Sequence, residues 1–541
     1  MTRREFAAGL AAPALLRAQS KRPLNILWLS CEDTSPTYGC YGDTYARTPN
    51  IDQLASEGQR YNQAYSVYPV CGPSRSSIIT GMYPATIGSH HMRSRAVPPP
   101  EVKCFTEYLR AAGYYCTNNS KTDYNFNGPS AAPLTAWDDS SGSAHWRNRP
   151  DPGQPFFSVF NFISSHESQI RNLRSEETKR LVARLPALHD PQKAPLPPYY
   201  PDTPIVRRDV ASYYDVVSAM DLQVAEKLKE LEQDGLRDST VVMHWGDHGW
   251  GMPRGKRWPY DSGTRVPLII RWPGALKPGS VNDDLVSLMD LGPTTLSLAG
   301  VPIPKHMQAQ AFLGEQKAAP RSYVFMARDR MDEAYDMMRS VRDHRYRYIR
   351  NYFPGRPYVQ YNAYMDEMPT MQEMRRVYKE ALGNGPHAGA PPMPEAMKPF
   401  FAAEKPVEEL YDSVADPHEI RNLAADPKLR PLLLKMRAVH EKFMRDTKDL
   451  GQVPEAELTE RMRPGGKWQK TATPELSSAG DAVTAVCATP GSSIAYTFDA
   501  GAKPYWRLYS GKPVSVPEFG TVRFIAARLG YLDSDEMVIV E

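Results

Sequence analysis

The chain has 541 residues, of which 65 are Lys or Arg and 62 are Asp or Glu, so its formal net charge is only +3. A charge this small does not provide the basic surface on which nucleic-acid binding depends. No stretch approaches the ~20 consecutive apolar residues that span a bilayer. The length allows two or three domains with a large core. The 50 prolines predict long connections that build a surface site.

The first 18 residues have the features of an export signal. Paired arginines, Arg3 and Arg4, precede Phe6, a short and weakly apolar segment, and the small residue Ala18. This order is typical of a twin-arginine signal, so we expect a periplasmic or secreted protein. The alternative is a ragged N-terminal tail.

Four short apolar runs, each bounded by polar residues, predict buried strands at 24–30, 156–162, 240–244 and 266–270. Helix-like segments lie between them, at 51–57, 105–112 and 209–232. This alternation predicts an α/β fold with a mostly parallel central sheet flanked by helices. In such sheets ligands bind beyond the carboxyl ends of the strands. We therefore expect one shared site from the residues that follow three of the runs: Glu32, Asp33, His166, Asp247 and His248.

The run from Cys71 to Arg75 predicts an anion site at a helix N-terminus. Proline is tolerated in a first helical turn, as Pro73 would be, and the free backbone N–H groups there attract anions. Arg75, one turn in, adds a planar fork of donors for a tetrahedral oxyanion. A buried cysteine that only packs at the helix start is the alternative.

Residues 336–455 predict a small α+β subdomain, with two strands about a polar turn in 338–352 and a helix that ends near 448. We expect a linker at 456–472. From 473 to 541, short alternating runs separated by turn residues predict a β-sandwich. Tyr505 and Trp506 have two interpretations: carbohydrate attachment, or the packing of a spacer module, which is favoured.

The cysteines leave the redox state open. Cys31 with Cys40, or Cys104 with Cys116, are candidate disulfides in an oxidising compartment. Buried free thiols are the alternative.

The run Cys71-Gly-Pro-Ser-Arg75, continuing to Thr80-Gly81, resembles the signature of the type I, formylglycine-dependent sulfatases. Gly255-Lys256 with Arg265-Val-Pro-Leu268 resembles a further run of that family, and Leu410-Tyr-Asp412 with Asn422-Leu423 resembles its C-terminal subdomain. The chain is similar to bacterial heparan-type sulfatases and N-sulfoglucosamine sulfohydrolases. The resemblance implies an alkaline-phosphatase-like fold with a catalytic domain at 19–335. The tail resembles the C-terminal β-sandwich module of chitobiase-type glycosidases.

The resemblance also implies a nucleophile and a metal. A formylglycine-generating enzyme would oxidise Cys71 to formylglycine, whose hydrate attacks sulfur and then releases sulfate as the aldehyde is restored. Four residues together with modified Cys71 would hold a divalent ion: Glu32, Asp33, Asp247 and His248. Three carboxylates favour Ca²⁺, and the imidazole leaves Mg²⁺ or Mn²⁺ open.

By the same resemblance, Arg75, Lys121 and Lys256 would stabilise charge on the transferring group. His166 would protonate the leaving oxygen. Asp123 stands where the family usually has His, which bears on the substrate more than on the reaction. The remaining candidates for substrate binding are His90, His91 and Arg93, for which an ordinary surface loop is the alternative.

These features predict an exported sulfatase that hydrolyses sulfate esters of a sulfated polysaccharide or oligosaccharide. Three alternatives stay open: a sulfamidase that acts on N-sulfate, a phosphonate or phosphodiester hydrolase of the same superfamily, and a sulfated-glycan-binding protein without catalysis.

Overall fold

The structure is a computed structural model that describes residues 23–126, 132–383, 391–501, 504–518 and 520–540. The predicted export signal at 1–18 lies outside the described residues. Among the residues described, no helix is both long and apolar enough to cross a membrane.

The central sheet contains nine strands and is mostly parallel, as the sequence predicts. Its strands are β1 (Asn25–Cys31), β2 (Gln59–Tyr65), β3 (Tyr115–Asn119), β4 (Asp139–Ser140), β5 (Phe156–Phe162), β6 (Thr240–Gly246), β7 (Arg265–Arg271), β8 (Ser280–Asn282) and β9 (Val286–Ser287). The order is β4-β3-β5-β1-β6-β7-β2-β8, and β9 also pairs with β2. All four predicted apolar runs are strands of this sheet. Only β7 runs antiparallel, to β6 on one side and to β2 on the other.

Helices cover both faces of this sheet because its central strand, β1, has apolar side chains on both faces. Every residue of β1 is buried. Leu27 and Leu29 belong to a core cluster with helix residues such as Val210, whereas Trp28 belongs to a second cluster with Phe105. The helices are α1 (Pro49–Glu57), α2 (Cys71–Thr80), α3 (Pro84–Ile87), α4 (Phe105–Ala111), α5 (Glu167–Arg171), α6 (Glu176–Ala183), α7 (Pro204–Gln233), α8 (Asp261–Thr264), α9 (Leu291–Leu298), α10 (Ala363–Asp366), α11 (Pro369–Ala381), α12 (Arg430–Thr447) and α13 (Glu455–Met462).

A second, antiparallel sheet follows, in the order β10 (Val324–Arg328), β11 (Met338–Arg342), β12 (Tyr346–Asn351) and β13 (Glu408–Asp412). Leu433 and Met436 of α12 pack in its core cluster. The sheet begins before residue 336, where we expected the subdomain to start, because β10 pairs along its whole length with β11.

The C-terminal tail forms two small antiparallel sheets. One contains β14 (Glu475–Ala479), β15 (Ala482–Val486) and β18 (Val514–Ser515); the other contains β16 (Ser493–Thr497), β17 (Arg507–Leu508), β19 (Thr521–Ala527) and β20 (Met537–Val540). Val483, Val522 and Phe524 are buried in the cluster between them. The Tyr505 ring lies 6.3 Å from that of Tyr115, so it packs toward the central-sheet part, as the packing alternative expects.

The segment predicted as a linker is packed. It contains most of α13, whose Leu458 is buried and whose Met462 accepts a hydrogen bond from the Val97 N–H at 3.4 Å. Gly88, where φ is +77°, lies so close to Met462 that a Cβ at this position would collide with the Met462 side chain. Leu458 and Met462 are one helical turn apart and share one face. This apolar face holds the segment against the protein where a linker would be solvated.

All six cysteines are free. Cys104 and Cys116, one of the candidate disulfide pairs, are buried, and burial raises the pKa of both thiols well above the usual range. The structure therefore agrees with the free-thiol alternative.

Candidate active site

The residues that follow three parallel strands meet at one edge of the central sheet. Glu32 and Asp33 follow β1, His166 follows β5, and Asp247 and His248 follow β6. β1 lies between β5 and β6, so these strand ends are adjacent. Cys71 is the first residue of α2, and its Sγ lies 3.3 Å from His248 Nε2. The site is thus built on strand ends and one helix start.

The acidic residues form a cluster whose oxygen atoms converge. Single ligand atoms from Glu32, Asp33, Cys71 and His166 lie within 4.8 Å of one another, as do those of Cys71, Asp247 and His248. His248 Nε2 is 3.1 Å from Asp33 Oδ1. Three buried carboxylates and one imidazole are a donor set that fits a hard divalent cation.

The electrostatics of this cluster favour positive charge. Burial opposes protonation of His248, yet the charges of Asp247, Cys71 and Asp33 raise its pKa well above the usual range. Burial acts to raise the pKa of the Asp33 carboxyl, but the charges of Lys256 and His166 outweigh burial and hold that pKa well below the usual range. The same carboxylates would stabilise a divalent cation bound among them.

Arg75 lies within the cluster and is fixed by two partners. Its Nε donates to Asp247 Oδ2 at 3.1 Å, and its Nη1 donates to Asn161 Oδ1 at 2.8 Å. Both are short enough to fix the guanidinium plane. The sequence pattern did not single out Asn161, although it lies in the apolar run that became β5.

Lys121 and Asp123 follow β3 on one side of Cys71. Lys121 Nζ lies 2.7 Å from Glu32 Oε1 and 3.9 Å from Asp123 Oδ2. Burial raises the pKa of the Cys71 thiol, but the charges of Lys121 and Lys256 outweigh it, so that pKa is lowered. Negative charge at position 71 is therefore favoured.

Lys256 lies on the opposite side of the site. Its Nζ donates to both oxygens of Asp33, at 3.0 and 2.9 Å, and lies 2.8 Å from Glu167 Oε1. Arg257 pairs with both oxygens of Glu167, at 2.9 and 3.0 Å. The sequence pattern did not single out Glu167 or Arg257 either, although each directly follows a candidate site residue.

His166 has a defined proton position. The Ser168 N–H donates to His166 Nδ1 at 3.3 Å, so a proton on the ring resides on Nε2. That nitrogen lies 3.4 Å from Lys256 Nζ and 3.8 Å from Glu32 Oε2. Burial and Lys256 oppose protonation, but Asp33, Cys71 and Glu32 outweigh them and raise the pKa of His166. The raised pKa favours the protonated ring, which is the form that can donate a proton.

A cavity of about 830 Å³ opens over these residues. Cys71, Lys121, His166 and Lys256 lie at its base. Four residues lie at its mouth: Arg93, Asp123, Asp332 and Tyr364. Asp332 lies in the loop between β10 and β11 and Tyr364 lies in α10, and nothing in their sequence context marks them.

His90 and His91 do not line this cavity, so their assignment to substrate binding stays a prediction. They are 0 % and 2 % exposed, and their ring centroids lie 4.2 Å apart. Burial lowers the pKa of both. Both rings are buried, whereas Arg93 and Arg95 of the same loop are exposed.

Residues 24–301 match the model of the family described as Sulfatase. The chain is 40 % identical to an ulvan-active sulfatase of Formosa agariphila, over 96 % of this chain and 91 % of the relative. The chain belongs to the sulfatase family. It is a sulfuric ester hydrolase, and the cluster around Cys71 occupies the strand-end position at which ligands bind in such folds.

Two further likenesses concern the C-terminal part and the fold of this sulfatase. Residues 246–384 match the model described as N-sulphoglucosamine sulphohydrolase, C-terminal. The human N-sulphoglucosamine sulphohydrolase is 28 % identical over 82 % of this chain and 94 % of its own. The solved structure of a 2-O GAG sulfatase superposes with a TM-score of 0.56 at 21 % identity, covering 79 % of this chain and 93 % of that one.

The fold alone does not separate sulfatases from their neighbours. A phosphonate monoester hydrolase of Agrobacterium radiobacter superposes with a TM-score of 0.57 at 16 % identity, over 79 % of this chain and 97 % of that one. The choice of substrate must therefore be argued from the site.

Proposed function

We propose that this sulfatase hydrolyses sulfate esters of a sulfated polysaccharide or its oligosaccharides, with formylglycine formed from Cys71 as the nucleophile. The observation that carries the proposal is the convergence of Lys121, His166 and Lys256 around Cys71 at the base of one cavity. Pre-placed cations stabilise the charge that develops on a transferring sulfuryl group. The ulvan-active relative makes ulvan the first polymer to test.

Four residues, with modified Cys71, would hold the divalent metal: Glu32, Asp33, Asp247 and His248. A bound cation there would act as a Lewis acid and lower the pKa of a nearby hydroxyl. Ca²⁺ suits the three carboxylates, and Mg²⁺ or Mn²⁺ suits a set that includes imidazole.

The cationic side chains would divide the binding of the sulfuryl group between them. Lys121 and Lys256 approach Cys71 from β3 and from the loop after β6, so they flank a group at position 71 from two sides. Arg75 is 3 % exposed and held by Asp247 and Asn161, while its Nη2 has no hydrogen-bond partner among the described residues. Arg75 would position Asp247 and add positive charge near Cys71.

His166 would protonate the leaving oxygen through Nε2. Its Nδ1 is occupied by the Ser168 N–H, and the ring lines the cavity. Protonation of the leaving alcohol removes the charge that would otherwise develop as the S–O bond breaks.

Maturation and location complete the proposal. A formylglycine-generating enzyme would be a transient partner that oxidises Cys71. The twin-arginine-like segment at 1–18 would direct the protein to the periplasm or beyond, where a sulfated glycan is accessible.

The first experiment is the mass of the tryptic peptide 61–75 from protein made in its native host. We expect a peptide lighter than the unmodified one, because an aldehyde replaces the thiol. The modified protein should release sulfate from ulvan oligosaccharides, and a chelator should abolish release until a divalent cation is restored. An unmodified Cys71, or release that no chelator affects, contradicts the proposal.

Specific observations favour two of the alternatives enough to test them. The shared fold with a phosphonate monoester hydrolase calls for a sulfate ester and a phosphodiester with the same leaving group. The match of residues 246–384 to the sulphoglucosamine sulphohydrolase model calls for glucosamine carrying either N-sulfate or O-sulfate. In each pair, the substrate that is hydrolysed with the higher kcat/KM decides between the proposed function and that alternative.

The non-catalytic alternative is motivated by Asp123, which stands where the family usually has a histidine. Sulfated-glycan binding without turnover by correctly modified protein would favour it.

A further inference from the structure

A second cavity, of about 270 Å³, lies beside the catalytic cavity. Arg93 lines both. The walls of the second cavity come from the loop that begins at Gly88 and from α13 with the turn that follows it. Its polar lining residues are His91, Arg93, Ser94, Arg95, Glu455 and Arg463, with Thr459.

Three polar atoms in the walls of this cavity have no hydrogen-bond partner among the described residues. They are His91 Nε2, Ser94 Oγ and Arg463 Nη1. His91 and Arg463 are each 2 % exposed, and a buried polar group without a partner carries a free-energy cost. An anion bound in the cavity would lie near these groups and offset part of that cost.

The unpartnered nitrogens are donors. The Arg330 N–H donates to His91 Nδ1 at 3.3 Å, and burial together with His90 lowers the pKa of His91 to about 4. The neutral ring therefore carries its proton on Nε2. Burial and Arg95 lower the pKa of Arg463 to about 10, so its guanidinium remains charged at neutral pH. Donors without acceptors select an anion.

The charge of the cavity agrees with this selection. Arg93, Arg95 and Arg463 contribute positive charge, and Glu455 is the one acidic residue among the described lining residues. The Glu455 carboxylate is held by Arg330 at 2.6 and 2.7 Å, which neutralises it. The cavity is therefore cationic.

We propose that the second cavity binds another sulfate group of the same polysaccharide whose first sulfate ester lies at Cys71. This inference rests on the proposed function and adds a requirement: the preferred substrate carries two acidic groups. Arg93, shared by the two cavities, marks the path along which one glycan chain connects them.

The C-terminal part of the chain is needed to build this subsite. Arg463 donates to the carbonyls of Arg95 at 2.8 Å and of Gly530 at 2.7 Å, and its guanidinium lies 3.6 Å from the Trp468 ring centroid. One arginine is thus fixed by the catalytic part, by the connecting segment and by the β-sandwich.

The test compares ulvan oligosaccharides of equal length that carry one sulfate or two. Arg95→Ala removes an exposed side chain, so the fold is retained. For the two-sulfate substrate we expect KM to rise about fivefold, with kcat unchanged, and the effect to shrink with added NaCl. Arg463→Gln should raise KM about tenfold or more, because a buried charged donor is lost. The one-sulfate substrate should be unaffected, as should both substrates with the exposed control Arg421→Ala.

Equal effects on both substrates, or no effect on either, would overturn the subsite and leave the proposed function intact. Calorimetric binding of the two-sulfate oligosaccharide to Cys71→Ala protein tests the subsite without turnover. Binding that Arg95→Ala weakens about fivefold supports the subsite, even if the modified enzyme releases no sulfate. Absence of sulfate release would overturn the proposed function and leave the subsite supported. Binding that Arg95→Ala does not change refutes the inference directly.

Discussion

The base and the mouth of the catalytic cavity are built in opposite ways. The base, formed by Cys71, Lys121, His166 and Lys256, rests on the buried residues Asp33, Asp247 and His248. Within this group Asp33, Cys71, Asp247, His248 and Lys256 are at most 3 % exposed and contact one another. At the mouth, the Arg93 side chain is 65 % exposed and its ion pair with Asp332 spans 3.6 Å.

The difference separates reaction from selectivity. At the base, removing one partner leaves a buried charge unpaired, which costs several kcal/mol. At the mouth, an exposed ion pair contributes at most about 1 kcal/mol. The base can therefore hold one geometry for the chemistry, whereas the mouth can change with the glycan at little cost to stability.

Cys71→Ala should have the largest effect, because it removes the nucleophile. We expect sulfate release to fall at least about 10⁴-fold, with KM for the residual activity nearly unchanged. Initial rates by sulfate detection measure it, and Cys104→Ala, which alters a buried thiol elsewhere, is the matched control. Residual activity above roughly one per cent would mean that the nucleophile lies elsewhere.

Lys256→Met should slow turnover by about a hundredfold to a thousandfold, since one pre-placed cation is lost from the transition state. Asp33 and Glu167 then lose a partner, so the variant should also unfold at a lower denaturant concentration. Glu167→Gln, which leaves the cation in place, should slow turnover much less. Similar losses in the two variants would show that Lys256 acts only through the packing of the base.

Beneath the base, acid should destabilise the fold through His244. Its ring is fully buried on β6, it contacts Tyr38 OH at 3.0 Å, and burial lowers its pKa to about 4. A pKa below the unfolded value of about 6.5 gives stability that is present above pH 6.5 and lost as pH falls toward 4, up to about 3 kcal/mol. Urea unfolding at pH 7, 5.5 and 4.5 measures this slope. His244→Gln should flatten it; an unchanged slope would mean that other groups titrate.

At the mouth, Tyr364→Ala and Asp123→Asn should have the smallest effects. One face of the Tyr364 ring is covered by the Arg171 guanidinium at 4.3 Å, which fixes a ring that lines the cavity. We expect each change to alter KM less than about tenfold with kcat nearly constant, because we assign these residues to sugar binding and not to the sulfuryl group. A roughly hundredfold loss of turnover in either variant would erase the distinction between base and mouth.

The sequence predicted the base better than the mouth for a physical reason. Residues such as Asp33 and Asp247 directly follow apolar strands, and parallel strands bring their carboxyl ends together. The meeting of residues that are distant in the sequence can therefore be predicted from the local pattern of each strand. Cys71 was marked by the helix start it occupies.

Two of the four mouth residues had no such signal. Asp332, in the loop between β10 and β11, and Tyr364, in α10, reach the cavity through segments whose course depends on how the second sheet packs. His90 and His91 illustrate the opposite error: polar residues in a loop indicated exposure, yet tertiary packing buried both rings. The subdomain start at 336 and the linker at 456–472 stay predictions; β10 pairs with β11 before residue 336, and Met462 of the linker segment packs against the loop that carries Val97.

The fit of Met462 against Gly88 bears on how such an enzyme can be rearranged by recombination. A breakpoint placed between the catalytic part and the β-sandwich would cut through a shared interior. The tail can thus be inherited or exchanged only together with α13 and the loop that receives it. Chimeras joined at residue 455 should lose activity unless the loop at Gly88 comes from the same parent as α13.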